Sequence, residues 1–214
     1  MTFYHASPVG GLTILKPSVS EHGKPYVYFA TNPLVALLYA VKPVPKPFSF
    51  YPYGFEKDGS VVYSEYYENA FFDIYKGKQG FLYACHDLPS AQNPTSIPCA
   101  YASAKPVRIE ETLGISDLYA YYKEKEETGE FHIKPRHAIS EKEMSVATAA
   151  LAKDMKRHGL KSSPDHPMSL FLKTHFPEVW SKGEAATKKR TKSPTHPWRD
   201  KAFHGQDVTK RLNI

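Results

Sequence analysis

The stretch Pro25-Tyr26-Val27-Tyr28-Phe29-Ala30-Thr31-Asn32-Pro33-Leu34-Val35-Ala36-Leu37-Leu38-Tyr39 decides the fold of this chain. Residues Tyr26 to Ala30 are rich in aromatic and β-branched side chains, which predicts a strand. Thr31-Asn32-Pro33 then supplies a helix cap followed by proline at the first helical position. Leu34 to Val41 reads as a short apolar helix, ended by Pro43, Pro45 and Pro47. A strand, a tight turn and a helix thus follow one another directly.

Upstream, Phe3 to Ala6 predicts a first strand closed by Pro8 and the Gly10-Gly11 pair. Downstream, aromatic stretches at 48–53 and 61–67 precede a short helix over 69–75, stopped at Lys76-Gly77. Phe81 to Cys85 reads as a strand, and Tyr101 to Ile109 as a late extended segment around Pro106. Ser116-Asp117 caps a helix running to Gly129. Ser140-Glu141-Lys142-Glu143 is a capping box opening a second long helix to His158-Gly159. Met144, Ala147, Thr148, Leu151 and Met155 form its apolar face. A turn or two of helix is expected over 169–175, and extended chain beyond Trp180. The order of elements predicts an α+β protein.

The residues on the first two strands resemble ADP-ribosyltransferases of the poly-ADP-ribose polymerase and diphtheria-toxin type. Those proteins open with a strand bearing His-Gly-Ser/Thr, and a later strand ends Tyr-Phe-Ala before a helix with a second Tyr. Here the matching elements are Tyr4-His5-Ala6-Ser7, Tyr28-Phe29-Ala30, and Tyr39, eleven residues after Tyr28. The likeness covers residues 3–40. It implies a split antiparallel sheet over residues 1–135, followed by a helical segment over 136–181 and a tail over 182–214. It also implies NAD as substrate. His5 would bond a ribose hydroxyl, the backbone at Ala6 and Ser7 the nicotinamide amide, and Tyr28 and Tyr39 would sandwich the nicotinamide ring, with Phe29 and Ala30 completing the motif. A backbone contact tolerates Ala6 in place of glycine where φ stays negative.

The resemblance further implies a carboxylate at the start of a late strand, to stabilise charge developing on the ribose. The matching position in Tyr101 to Ile109 falls near Ala104, which is not acidic. Glu110 and Glu111, at the far end of that segment, are the catalytic candidates, with Glu65 and Glu68 as alternatives. A carboxylate-independent route, like that of the RNA 2′-phosphotransferases sharing the fold, is a third. The implied activity is ADP-ribosyl transfer to an unidentified acceptor, or NAD hydrolysis. Its rivals are a module that binds NAD, ADP-ribose or nucleic acid without chemistry, and a 2′-phosphotransferase-like enzyme.

Composition excludes several other classes. Hydrophobic residues make up 41% of the 214, enough for a packed core. Cys85 and Cys99 alone do not make a disulfide framework, and His86 beside Cys85 completes no zinc set. Gly10-Gly11 lacks the spacing and the lysine of a phosphate loop, and no nucleophile elbow occurs. His132, Arg136 and His137 form a small basic cluster. The chain begins without a basic-then-apolar leader, and no stretch reaches the roughly 18 apolar residues of a membrane span; a cytoplasmic location is expected. Residues 182–214 carry nine Lys/Arg against three acids, so they hold the whole net charge of +6. Such a tail is suited to a polyanion such as RNA or DNA.

Overall fold

The structure, a computed structural model, describes residues 1–19, 24–41, 52–95, 97 and 99–187, with the side chains of 183–187 excepted. The chain begins with strands β1 (Phe3–Ser7), β2 (Ile14–Leu15), β3 (Ser18–Val19) and β4 (Pro25–Ala30), followed by helix α1 (Pro33–Leu38). Next come β5 (Tyr53–Phe55), β6 (Val61–Ser64), α2 (Ala70–Tyr75), β7 (Gly80–Cys85), β8 (Ala100–Ser103), β9 (Val107–Arg108) and β10 (Glu111–Ile115). Helix α3 (Leu118–Glu127), strand β11 (Phe131–Lys134) and helices α4 (Glu141–Arg157), α5 (Pro167–His175) and α6 (Pro177–Thr187) complete the described chain. The α+β expectation is met.

The main sheet runs β10-β7-β1-β4-β3, with β8 also pairing β4. Among the described residues its pairings are all antiparallel. A second sheet of β11, β6 and β5 contains the parallel β6–β11 pair, and β2 pairs with β9. Strand β1 pairs with β7 along its whole length, from Phe3↔Cys85 to Ser7↔Phe81. It meets β4 at Tyr4↔Ala30 alone. The two strands therefore share one end and part beyond it.

Side chains alternate across a strand, and antiparallel partners share a face. Tyr4, Ala6, Tyr28, Ala30 and Leu82 thus face one way, and α1 packs on Tyr4, Ala6, Ala30 and Leu82. Phe3, His5, Val27, Phe29, Tyr83 and Cys85 face the other way, toward Leu15, Leu88 and Val107. The core above α1 is aromatic, with Tyr63, Phe71, Tyr75, Tyr122 and Phe131 almost fully buried. Two of these tyrosines bind α1 itself. The Tyr122 hydroxyl donates to the Leu34 carbonyl at 2.6 Å, and that of Tyr75 to the Leu38 carbonyl at 2.8 Å. A third cluster joins α4, α5 and α6 through Leu151, Met155, Leu172, Phe176 and Val179.

Three local expectations are corrected. Helix α1 ends at Leu38 rather than Val41, because Tyr39 and Ala40 tighten to bonds with the Ala36 and Leu37 carbonyls, three residues back. The late segment is two strands, not one. Ser103 donates to the Pro89 and Lys105 carbonyls and accepts from the Lys105 amide, so the chain turns before Pro106, which has no amide to offer a ladder. Its first half, β8, pairs with β4, and its second, β9, with β2. Beyond Trp180 the chain is helical to Thr187, not extended. Pro177 opens α6, Val179 is buried, and Trp180 lies under the Lys161 and Lys173 ammonium groups at 3.7 and 5.0 Å. The rest of the basic tail, 188–214, lies outside the described residues.

The capping box on α4 forms as the sequence predicts, and Lys134 at the end of β11 joins it at 2.7 Å from Glu143. Lys134, then the Ser140 hydroxyl and amide, pull the Glu143 carboxyl down to about 2. A carboxyl lowered on folding stabilises above its unfolded value and loses that contribution as pH falls through its folded value. Glu143→Gln should therefore cost stability at pH 6, and the difference from wild type should shrink from about pH 4.5 and vanish near pH 2. Urea midpoints for both proteins across that range check it; a constant gap would mean that charge is not the cause. The side chain is 40% exposed, so solvent screening keeps the gain small.

Candidate functional site

Beyond the Tyr4↔Ala30 pair the register between β1 and β4 stops, and one side chain joins the two strands there. His5 on β1 places Nδ1 2.9 Å from the Tyr28 carbonyl on β4. A carbonyl only accepts, so Nδ1 carries the hydrogen, and in the neutral ring Nε2 is an acceptor. The imidazole packs beside Phe29, with ring centroids 5.9 Å apart. His5 is half-buried, as are Tyr28 and Ser7.

Tyr28 stands on the opposite face, toward α1. Its ring meets Tyr26 edge-on at 5.9 Å, and the Tyr26 hydroxyl donates to Gln92 Oε1 at 3.3 Å. Gln92 bridges Ala102, and Ala102 lies opposite Tyr28, so Tyr26, Tyr28, Ala102 and Gln92 share one face. Tyr39 is at the end of α1, the helix that covers this face. Asn32 fixes that helix, accepting from the Leu34 and Val35 amides at 2.9 and 3.2 Å, with Pro33 in the first turn. Tyr39 is 37% exposed, and its ring meets Tyr53 edge-on at 6.4 Å. Burial, then the Tyr53 hydroxyl, push the Tyr39 phenol far above its ordinary range, so it is a neutral group.

The remaining motif residues serve the core. Ala6, Phe29 and Ala30 are buried, Phe29 on the Phe3 side and the two alanines against α1. The Ala6 methyl fills space under the helix, which gives the departure from glycine a packing role. Ser7 accepts the Val9 amide at 3.1 Å.

The acidic candidates lie elsewhere. Glu111 occupies the row Glu111–Ala84–Tyr4–Ala30, three strands from β4, or about 14 Å at the usual strand spacing. Its carboxylate is 72% exposed, 3.5 Å from His86 Nε2. Glu110 accepts the His86 amide at 2.8 Å and lines a groove of about 630 Å³ with Asp87, Pro89, Pro106, Arg108 and Ile109. None of His5, Tyr28 or Tyr39 lines that groove. Glu65 is buried and accepts the Phe71 amide at 2.9 Å in the first turn of α2; burial foremost raises its carboxyl. Glu68 is exposed. His132 belongs to β11, and Arg136 and His137 to the turn after it.

The strand beside Tyr28 begins at Cys99-Ala100, with Ala100 opposite Ala30 and the Thr31 amide donating to the Cys99 carbonyl at 2.9 Å. Sequence reasoning aligned Ala104 there, because it took β8 and β9 as one strand. Cys99 packs against the α1 core, and burial raises its thiol. It also missed Tyr26, Gln92 and Tyr53, which no motif marks.

Among the described residues no group of three His, Cys, Asp or Glu is placed to hold a metal ion. No helix among them is long and apolar enough to cross a membrane. No family model, curated protein or solved structure matches the chain.

Proposed function

We propose that the opening between β1 and β4 is a pocket for NAD or ADP-ribose, and that the chain works as a binding module for that dinucleotide. The observation that carries the reading is the single β1–β4 register pair, with His5 spanning the gap to the Tyr28 carbonyl. Where the β1–β4 register stops, a ligand amide would lie alongside strand backbone, as an added strand does. Tyr28 and Tyr39 supply flat apolar faces on the helix side for the nicotinamide ring, and His5 Nε2 an acceptor for a ribose hydroxyl.

Binding is favoured over transfer by what begins β8. A carboxylate there would stand across from Ala30, close to the ribose of a ring stacked on Tyr28. The residues are Cys99 and Ala100, and Glu110 and Glu111 are on the far side of the sheet. Without a fixed negative charge, an oxocarbenium-like ribose gains no electrostatic stabilisation, which elsewhere amounts to several kcal/mol.

Incubating the purified chain with nicotinamide-labelled NAD, alongside calorimetry with NAD and with ADP-ribose, tests this reading. Saturable binding without release of nicotinamide is expected. Release at a steady rate would make the chain an ADP-ribosyltransferase or NAD hydrolase. Absence of binding together with tight RNA binding would point to the nucleic-acid-directed alternative that the basic tail favours.

A further inference from the structure

The sequence around Gly10-Gly11 fails as a phosphate loop of the familiar kind, yet the structure builds it with care. Strand β1 leaves the sheet at Ser7, and the chain turns through Val9–Leu12. The fully buried Tyr83 reaches up from β7 and holds both ends of this turn: its hydroxyl donates to the Val9 carbonyl at 2.6 Å and accepts the Leu12 amide at 3.4 Å. Each glycine has its own reason. A side chain at Gly10 would meet the Phe81 ring at 2.7 Å, and Gly11 has φ +74°, which L side chains rarely adopt.

The amides of the turn are unequally used. Val9 donates to Ser7 Oγ and Leu12 to Tyr83, whereas among the described residues Gly10 and Gly11 donate to nothing. Both glycines are exposed. Two consecutive unspent amides, one beside a left-handed residue, are the ingredients of a backbone anion cradle. The register fixes where this cradle is. Tyr83 lies opposite His5 and on the same face, so the turn belongs to the His5 side of the opening while Tyr28 is on the other.

The geometry points to the Val9–Leu12 turn as the pyrophosphate-contacting edge of the pocket, with the Gly10 and Gly11 amides as donors and Tyr83 as the positioning residue that holds them. This rests on the dinucleotide reading above: a ligand with its ring at Tyr28 and a ribose at His5 carries its phosphates onto the His5 side.

The test is an amide-resolved NMR titration of the full chain with NAD and with nicotinamide riboside, which lacks phosphate. The Gly10 and Gly11 amide resonances should move downfield with NAD and stay still with the riboside. Tyr83→Phe keeps the buried ring but frees the turn. It should weaken NAD binding about tenfold, as expected for charge-assisted bonds lost from one ligand group, and leave riboside binding unchanged. NAD binding that shifts β1 and β4 resonances but leaves both glycines in place would overturn the inference while the pocket stands. An equal loss for both ligands in Tyr83→Phe would make the tyrosine merely structural and also overturn it. A wild-type chain that binds neither ligand would remove the pocket and the cradle together.

Discussion

Truncating Phe71 to alanine is expected to destabilise the fold by about 3–5 kcal/mol, the range for a fully buried phenylalanine. Phe71 has no exposed surface, and its ring touches those of Tyr75 at 4.4 Å, Tyr63 at 4.8 Å, Tyr122 at 5.1 Å and Phe131 at 5.3 Å. Those neighbours sit on α2, β6, α3 and β11, so a void at Phe71 has no single element that can move to fill it. Edge-to-face geometry adds to the area term. The adjacent Phe72 is 45% exposed, and Phe72→Ala should cost less than about 1 kcal/mol. Urea denaturation of both variants decides the matter. Similar losses would mean that the aromatic cluster is not the keystone of the core.

The same cluster bears on the pocket. Tyr75 and Tyr122 spend their hydroxyls on α1 carbonyls, and Tyr39 caps the C-terminus of α1. The position of Tyr39 is thus set by core residues from distant parts of the chain, Tyr122 lying 88 residues from its partner.

This explains which parts of the architecture were legible in the sequence. The β4–α1 junction was readable because its signals are local: aromatic and β-branched residues from Tyr26 to Phe29, an Asn cap and a proline behind it. The capping box at Ser140 was readable for the same reason. Strand β10 and the split of the late segment at Pro106 were not, since the first depends on pairing with β7 and the second on a Ser103 hydroxyl bonding across to Pro89. That reading put the carboxylate position that the resemblance implies near Ala104, just past the end of β8. Of the site, the His5 imidazole meets the Tyr28 carbonyl across the strand opening, while the Tyr28 ring stands on the other face. Gln92 and Tyr83 enter only through tertiary pairing, and neither has a sequence signal.

Replacing Tyr28 by alanine is expected to lower NAD affinity by about 5- to 150-fold, because stacking a base-like ring on an aromatic side chain contributes about 1–3 kcal/mol. Stability should change little by comparison, since the side chain is half-buried and meets Tyr26 edge-on. Tyr28→Phe retains the flat face and should bind nearly as well as wild type. Should phenylalanine fail as badly as alanine, the hydroxyl would be the contact and stacking would be the wrong account. His5→Ala removes a different element, the imidazole that ties β1 to the Tyr28 carbonyl. It loses the ribose acceptor and also frees the carbonyl that fixes the Tyr28 backbone, so its loss and that of Tyr28→Ala should not add. The double variant is then expected to bind NAD only slightly worse than the weaker single one. Calorimetric titration of the four proteins gives the comparison. Full additivity would show that the Tyr28 contact does not depend on His5 and break the link across the strand opening on which the pocket rests.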